Sequence, residues 1–333
     1  MKFLIAGGAG FIGSTIANAL ADRGHTPVVL DNLVTGRREF TTDHPFYEGD
    51  IADGGLLDRI FTEHPDIRAA VHCAALIVVP DSVADPLGYY RENVAKTIAF
   101  AEHLTRNGCR RLLFSSSASL YQADPANDWA VYEDSPLETL SPYARTKQVV
   151  ETFLADIADA GPVRVVSLRY FNPIGADPEL RTGLQTRKPT HALGKLIDVQ
   201  AAGEKFPITG TDWPTRDGSG IRDYVHVRDL AEAHCAALDR FDTVTAEHPY
   251  QVVNLGTGTG TTVRELVAAY EQVTGETVPV VETGPRPGDA AGAYTRSSRA
   301  RELLGWTARF TLADGIRDSL RWRAVRDSVI GAD

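Results

Sequence analysis

The stretch "KFLIAGGAGFIGSTIANALADRG", from Lys2 to Gly24, limits what this chain can fold into more than any other. An apolar run too short for a helix is followed by Gly7, Gly10 and Gly13, and then by an amphipathic helical pattern. Glycines so placed let the backbone turn tightly, approach a pyrophosphate at the helix N-terminus and bring strand and helix together. The spacing is GxxGxxG rather than GxGxxG, and a merely structural strand-to-helix turn uses the same letters, so the motif alone leaves both readings open. A second apolar run, "TPVVLDN", narrows the choice. It ends in Asp31, roughly 20 residues past the glycines, where a carboxylate accepts from an adenosine ribose and repels a 2′-phosphate. Together the two features point to a dinucleotide site and favour NAD over NADP. Arg37 and Arg38, just beyond, are expected to be solvated loop charges.

The alternation then continues. "AAVHCAAL", "RRLLFSSS" and "VRVVSLRYFN" read as buried strands, and "GGLLDRIFTEH", "YYRENVAKTIAFAEHLTRNG" and "ARTKQVVETFLADIADAG" as helices between them. Glycine stands at the end of three of the four helical patterns. This is the signature of an α/β, doubly wound Rossmann-type parallel sheet. After Asn172 the pattern loosens into "PIGADPELRTGLQTRKPT" and "TGTDWPTRDGSGIRDY", and helices return at 227–240, 262–274 and 313–328. The expected organisation is an NAD-binding domain over 1–172, with 225–257 returning to it, and a smaller α/β C-terminal substrate lobe over 173–224 and 258–333.

A formal charge of -10 disfavours non-specific contact with nucleic acid or an anionic membrane surface. A local basic site for a small phosphate is compatible with it. Cys73, Cys109 and Cys235 are far apart and odd in number, which fits buried small hydrophobes in a reducing compartment. The N-terminal apolar run is broken by glycine and lacks a cleavage region, and no run approaches the ~20 residues of a membrane span. A cytoplasmic protein with no metal site is expected.

In "SPYARTKQVVE", Tyr143 and Lys147 lie four residues apart in a chain with six lysines and 11 tyrosines, where chance supplies such a pair about 0.2 times. At i and i+4 they share a helix face, so the ammonium favours the phenolate of a tyrosine whose pKa near ~10 otherwise makes it a poor base. The bland alternative is an amphipathic helix start with a surface lysine. "LLFSSSASLY" tips the balance: Ser115, Ser116 and Ser117 end a buried strand at the carboxyl edge of the sheet, where doubly wound folds bind ligands.

With "RYFNPIGA", "GIRDYVHVRDLAEAH", "NLGTGTGTTVRELV" and "RPGD" added in this order, the chain resembles the extended short-chain dehydrogenase/reductases, and among them the UDP-glucose 4-epimerases. The resemblance implies that Phe11, Ile12, Asp31, Asn32, Asp50, Ile51, Ala74, Ala75, Asn93, Lys147 and Phe171 border NAD, with Gly7, Gly10, Gly13 and Ser115 beside them. It implies that Ser117 and Tyr143 meet the reacting hydroxyl of a UDP-sugar. Asn172, Arg222, Tyr224, Arg286 and Asp289 would hold the nucleotide diphosphate, with His191 and Thr209 near the base. The implied reaction is 4-epimerisation through a transient 4-keto sugar, carried out by a homodimer whose interface uses the helices containing Tyr89 to Asn107 and Tyr143 to Asp159.

Several positions depart from the family pattern. In "HCAALIV" Ile77 stands where many members carry lysine near the cofactor, His191 and Thr209 replace an asparagine and an aromatic, and Arg296 replaces an aspartate. Counted without gaps from Asp289, Ala293 stands at the place of a bulky aromatic that closes the pocket at the sugar's C2 in some members, so N-acetylated sugars are expected to fit; a shift of one residue would put Tyr294 there and reverse the expectation. A 4,6-dehydratase would need an acid directly after Ser117, where Ala118 and Ser119 stand. A uronic-acid decarboxylase would need a Glu-Arg pair there, and a non-catalytic NAD sensor would have no use for a phenolate. An ordinary alcohol dehydrogenase is excluded less firmly.

Overall fold

The computed structural model describes residues 1–285 and 290–331. Along the first half run β1 (Lys2–Ala6), α1 (Phe11–Asp22), β2 (Thr26–Asp31), β3 (Phe46–Glu48), α2 (Gly54–Glu63), β4 (Ile67–His72), α3 (Val79–Ala84), α4 (Pro86–Tyr90), α5 (Lys96–Arg106), β5 (Arg111–Ser117), β6 (Ala130–Val131), α6 (Pro142–Ala160) and β7 (Arg164–Tyr170). The second half holds β8 (Asn172–Ile174), α7 (Ala192–Ala202), β9 (Phe206–Thr209), β10 (Ile221–Arg222), β11 (Tyr224–His226), α8 (Val227–Asp239), α9 (Phe241–Val244), β12 (Tyr250–Leu255), β13 (Thr261–Thr262), α10 (Val263–Thr274), β14 (Val280–Thr283), β15 (Gly292–Thr295) and α11 (Leu312–Ile330).

Seven strands form a parallel sheet in the order β12-β7-β5-β4-β1-β2-β3. Both faces are covered, which is why its strands read as near-continuous apolar runs rather than alternating ones. Phe3, Ile5, Val71, Leu113 and Val166 pack with Ile16 and Leu20 of α1 and Leu230 of α8. Leu4, Ala70, Leu112, Phe114 and Val165 pack on the other face with Leu57, Phe100, Val150 and Leu154 from α2, α5 and α6. The chain moves outward from β1 to β3, then crosses back to place β4 on the other side of β1. The crevice for a ligand lies at that reversal, beyond the carboxyl ends of β1 and β4.

The expected strand "AAVHCAAL" stops at His72. Cys73 still binds the sheet, its N–H donating to the Ala6 carbonyl at 2.8 Å, and the chain then crosses the Gly7 turn instead of extending the ladder. Two strands of this seven-stranded sheet carry no clear sequence signal. β3 is three residues long, and β12 offers only Val252 and Val253 between polar neighbours. Of the glycines ending helices, Gly24 and Gly108 take the left-handed conformation at φ 74° and 76°, whereas Gly161 is extended at φ -148°. α4 and α5 are joined through a π-turn over Arg91–Ala95, a form frequent near functional sites.

A second layer of small sheets stands over the crevice: β13-β10-β15-β6, β8-β11 and β9-β14. Its core gathers Ile174, Leu196, Phe206, Tyr224, Leu266, Tyr270 and Ile316. Capping boxes start α10 at Thr262/Glu265 and α11 at Thr311/Asp314, pairing N–H groups that these helices would otherwise leave open. Among the described residues no helix is long and apolar enough to cross a membrane.

Candidate active site

The three glycines do different work. Gly7 has φ 80°, and a Cβ there would lie 2.6 Å from the Ala74 backbone nitrogen. A Cβ on Gly13 would lie 2.2 Å from the Gly7 carbonyl oxygen, so this glycine lets α1 close on the turn. At Gly10 a Cβ would meet only the Gly7 oxygen, at 3.4 Å, and otherwise stand in open space. Gly10 is the N-cap of α1, and no side chain caps that helix. The turn is thus a cradle of backbone N–H groups at the positive end of a helix, the chemistry a pyrophosphate requires.

Asp31 lies at the next strand end. Its Oδ2 accepts from the Ala9 N–H at 2.9 Å and its Oδ1 from the Leu33 N–H at 2.8 Å, which aims the carboxylate across the same turn. Burial raises its pKa, against those two hydrogen bonds. These residues fit the adenosine end of NAD, with room for further acceptance at each oxygen. Arg38 is occupied elsewhere, its guanidinium 4.3 Å from the centroid of the Phe46 ring. Asp50 pairs with Lys96 at 2.6 Å. Asn32 Oδ1 accepts from the Val34 N–H at 3.2 Å, and the side chain also bonds Asp50. Ile51 is buried in the core below, while Phe11 and Ile12 are half-buried at the helix start. Asn93 is the strut of the far wall: it bonds both the N–H and the carbonyl of Leu76 at 2.8 and 2.9 Å and reaches Thr146 of α6 at 3.1 Å. It thereby fixes the segment carrying Ala74 and Ala75.

Ser141 caps α6, accepting from the Ala144 N–H at 3.2 Å, with Pro142 in the first turn, so the helix begins immediately before Tyr143. The half-buried Tyr143 bonds the Ser117 hydroxyl; burial pushes its phenol pKa up and that bond pulls it down. One turn on, Lys147 is buried, donates to the Ser115 carbonyl at 2.7 Å and stands 4.7 Å from the centroid of the Phe114 ring. Burial lowers its pKa to about 8, with Cys73 and Glu151 acting against the shift. Ser115 turns its hydroxyl to the Cys73 thiol at 3.1 Å and also bonds Tyr170. Cys109 and Cys235 are buried, whereas Cys73 is half-exposed in this crevice.

On the opposite side, Phe171 packs with Tyr121 and Val131, and Ala118 and Ala293 lie against that group. Strand alternation along β15 turns Tyr294 the other way. It is buried with Trp129, Ala130 and Ile221, and its hydroxyl donates to Asp128 at 2.8 Å. Arg296, for which the sequence offered no account, pairs with the same Asp128 at 3.1 Å and lies over the Tyr294 ring.

Asn172 and Tyr224 are register partners across β8 and β11. Between the short strands the buried Asp223 accepts from Thr257 and Gly258 N–H groups at 2.8 and 3.1 Å, fixing the site of Arg222. Arg222 bridges to the Ala291 and Ala290 carbonyls at 2.6 and 3.3 Å. Arg286 and Asp289 themselves lie outside the described residues. Tyr224 sits in the lobe's core, where burial raises its pKa to about 12. His191 caps α7, its Nδ1 accepting from the Gly194 N–H at 3.2 Å, and Thr209 ends β9. Ile77 is exposed.

A polar network under the site is absent from the sequence reading. Glu151, buried on α6, pairs with Arg169, which donates to the Tyr121 hydroxyl at 2.9 Å; that hydroxyl donates to Asn254 at 2.6 Å. The available signal was periodicity, since Tyr143, Lys147 and Glu151 recur every four residues on one helix.

Residues 3–256 match the model of the NAD dependent epimerase/dehydratase family. UDP-glucose 4-epimerase of Rhizobium leguminosarum bv. trifolii is 41% identical over 330 residues, covering 96% of this chain and 97% of that protein. The crystal structure of UDP-glucose 4-epimerase from Stenotrophomonas maltophila, with bound NAD and formylated UDP-arabinopyranose, superimposes with a TM-score of 0.92 at 36% identity, covering 98% of this chain and 99% of that one. The UDP-Glc/GlcNAc 4-epimerase of Campylobacter jejuni superimposes with a TM-score of 0.80 at 33% identity, over 97% and 99% of the two chains.

Proposed function

Because this chain belongs to the NAD dependent epimerase/dehydratase family, we propose that it catalyses the NAD-dependent 4-epimerisation of UDP-glucose and UDP-galactose. One observation carries the reading: the Tyr143 phenol, bonded to Ser117 and one helical turn from the buried Lys147 ammonium, stands beside a glycine cradle made for a dinucleotide.

Tyr143 removes the proton from the sugar's 4-hydroxyl, which Ser117 orients through its own hydroxyl. Lys147 favours the phenolate electrostatically, which matters because burial alone holds the phenol protonated. The Gly7–Gly13 turn and Asp31 would hold NAD, which when bound would supply the reversible hydride chemistry at C4. Asn172, Arg222, Tyr224, Arg286 and Asp289 are assigned to the nucleotide end, and His191 and Thr209 to the base. Holding the diphosphate by charge while leaving the sugar weakly held lets the 4-keto sugar present its other face. Residues 1–172 with 225–257 take the cofactor, and 173–224 with 258–333 the sugar nucleotide. A dehydratase reading is not favoured, since Ala118 offers no acid beside Ser117.

Three further assignments belong to this reading. Ala293, turned toward Ala118 and Phe171, leaves space for an acetamido group. A homodimer is supported by Val83, Leu87, Ile98 and Val149, exposed apolar side chains on α3 to α6, helices that pack as one layer. Three free cysteines fit the reducing cytoplasm. The test is interconversion of UDP-glucose and UDP-galactose by purified protein without added reductant. Tyr143→Phe is expected to lower kcat by roughly 10²- to 10⁴-fold with NAD and UDP binding retained, and wild-type turnover in that variant would overturn the mechanism.

A further inference from the structure

Glu151 stands one turn beyond Lys147 and two beyond Tyr143 on α6, and its carboxylate faces away from the crevice into the seam between helix and sheet. It is gripped from two strands. Arg169 Nε of β7 donates to Oε1 at 2.9 Å and Nη2 to Oε2 at 2.5 Å, while the Ser116 hydroxyl of β5 donates to Oε1. The result is a zipper between the last three residues of β5 and three turns of α6. Ser117 meets Tyr143, the Ser115 carbonyl meets Lys147, and Ser116 meets Glu151.

Net stability does not explain this arrangement. A buried ion pair costs desolvation that its attraction only offsets, and apolar residues of similar volume would pack the seam as well. What a bidentate guanidinium–carboxylate pair adds is geometry, since it tolerates little sliding or rotation. Arg169 is itself held by the Tyr121 hydroxyl at 2.9 Å, so the anchor is rigid from behind. We infer that Glu151, through Arg169 and Ser116, is a positioning residue that sets the register of α6 against β5, and with it the placing of Tyr143 and Lys147 over the reacting carbon.

The inference rests on the epimerase reading, and the two fail separately: absence of turnover in the wild type sinks the reading, whereas wild-type behaviour in the variants below sinks only the inference. Glu151→Gln keeps the volume and part of the hydrogen bonding but frees the helix to shift and leaves Arg169 uncompensated. A misplacement near 1 Å costs on the order of 100-fold, so kcat is expected to fall by roughly 10- to 100-fold while KM for UDP-glucose and the NAD content of the holoenzyme stay as in the wild type. The charged and titratable groups facing Lys147 are His72 of β4, Cys73 just beyond it, and Glu151 of its own helix. With the Glu151 charge gone and the buried Arg169 charge uncompensated, both limbs of the kcat–pH profile are expected to move to lower pH, a shift that a merely structural residue would not produce. Ser116→Ala, which removes one tether and no charge, is expected to lower kcat several-fold with no shift of the limbs, and decides the matter if Glu151→Gln does not fold. Wild-type kcat in both variants, or a loss of kcat that follows loss of NAD, overturns the inference.

Discussion

The glycine turn makes a prediction that separates the ligand from the fold. At Gly10 the backbone is extended (φ -83°, ψ 173°), a conformation alanine adopts without strain, and an added Cβ meets only the Gly7 oxygen at 3.4 Å. The fold should therefore bear Gly10→Ala. Alanine is a poorer N-cap than glycine, which costs about 0.5–1 kcal/mol, and at this chain length that lowers Tm by at most about 3 °C. The methyl group, however, stands in the open space of the cradle, between bound pyrophosphate and the N–H groups of the first turn of α1. Losing even one charge-assisted hydrogen bond costs about 1.5–3 kcal/mol, so NAD affinity should fall by roughly 10- to 100-fold. Gly13→Ala gives the opposite pattern at the fold level, because its Cβ would lie 2.2 Å from the Gly7 oxygen and 2.9 Å from Gly8 Cα, both backbone atoms. Such overpacking costs about 1–3 kcal/mol or more. Thermal melting, nicotinamide content after gel filtration and calorimetric titration with NAD read both effects. Wild-type NAD affinity in Gly10→Ala, or a Tm loss as large as that of Gly13→Ala, would refute the division of labour among the glycines.

Four other outcomes are expected. With the Lys147 pKa lowered to about 8 from 10.5, turnover should decline as pH rises through that value, and Lys147→Met should lose this limb of the profile. The sign for stability is the reverse: the unfolded chain binds this proton more tightly, so the group costs stability below about pH 8 and the cost vanishes as pH rises to lysine's ordinary value, visible as a shallow gain in denaturant midpoint that Lys147→Met lacks. The ratio of kcat/KM for UDP-N-acetylglucosamine to that for UDP-glucose should drop in Ala293→Tyr, and an unchanged ratio would show that Ala293 is not the gate. A charge placed in the exposed apolar layer, as in Ile98→Glu, should shift sedimentation at micromolar concentration from dimer to monomer, and an unaltered coefficient would remove that layer from the interface.

Residues whose chemistry depends on neighbours in sequence were legible from the start. The Gly7–Gly13 turn, Asp31 at the next strand end, and Tyr143 with Lys147 one turn apart all follow from strand and helix periods, because each partner is placed by local backbone geometry. The parallel sheet followed for the same reason, since strands covered on both faces must be apolar throughout. β3, three residues long, and β12, with only two valines between polar neighbours, were not legible, and neither was the end of β4 at His72, which depends on the chain crossing the distant Gly7 turn. Tertiary structure alone decided which way Ala293 and Tyr294 point, because a strand's alternation gives two faces without saying which is the pocket. It also decided the partner of Arg296 and the Glu151–Arg169–Ser116 anchor. Those contacts join residues 168 positions apart in the first case and 18 and 35 in the second, and only tertiary packing brings such distant charges within hydrogen-bond reach.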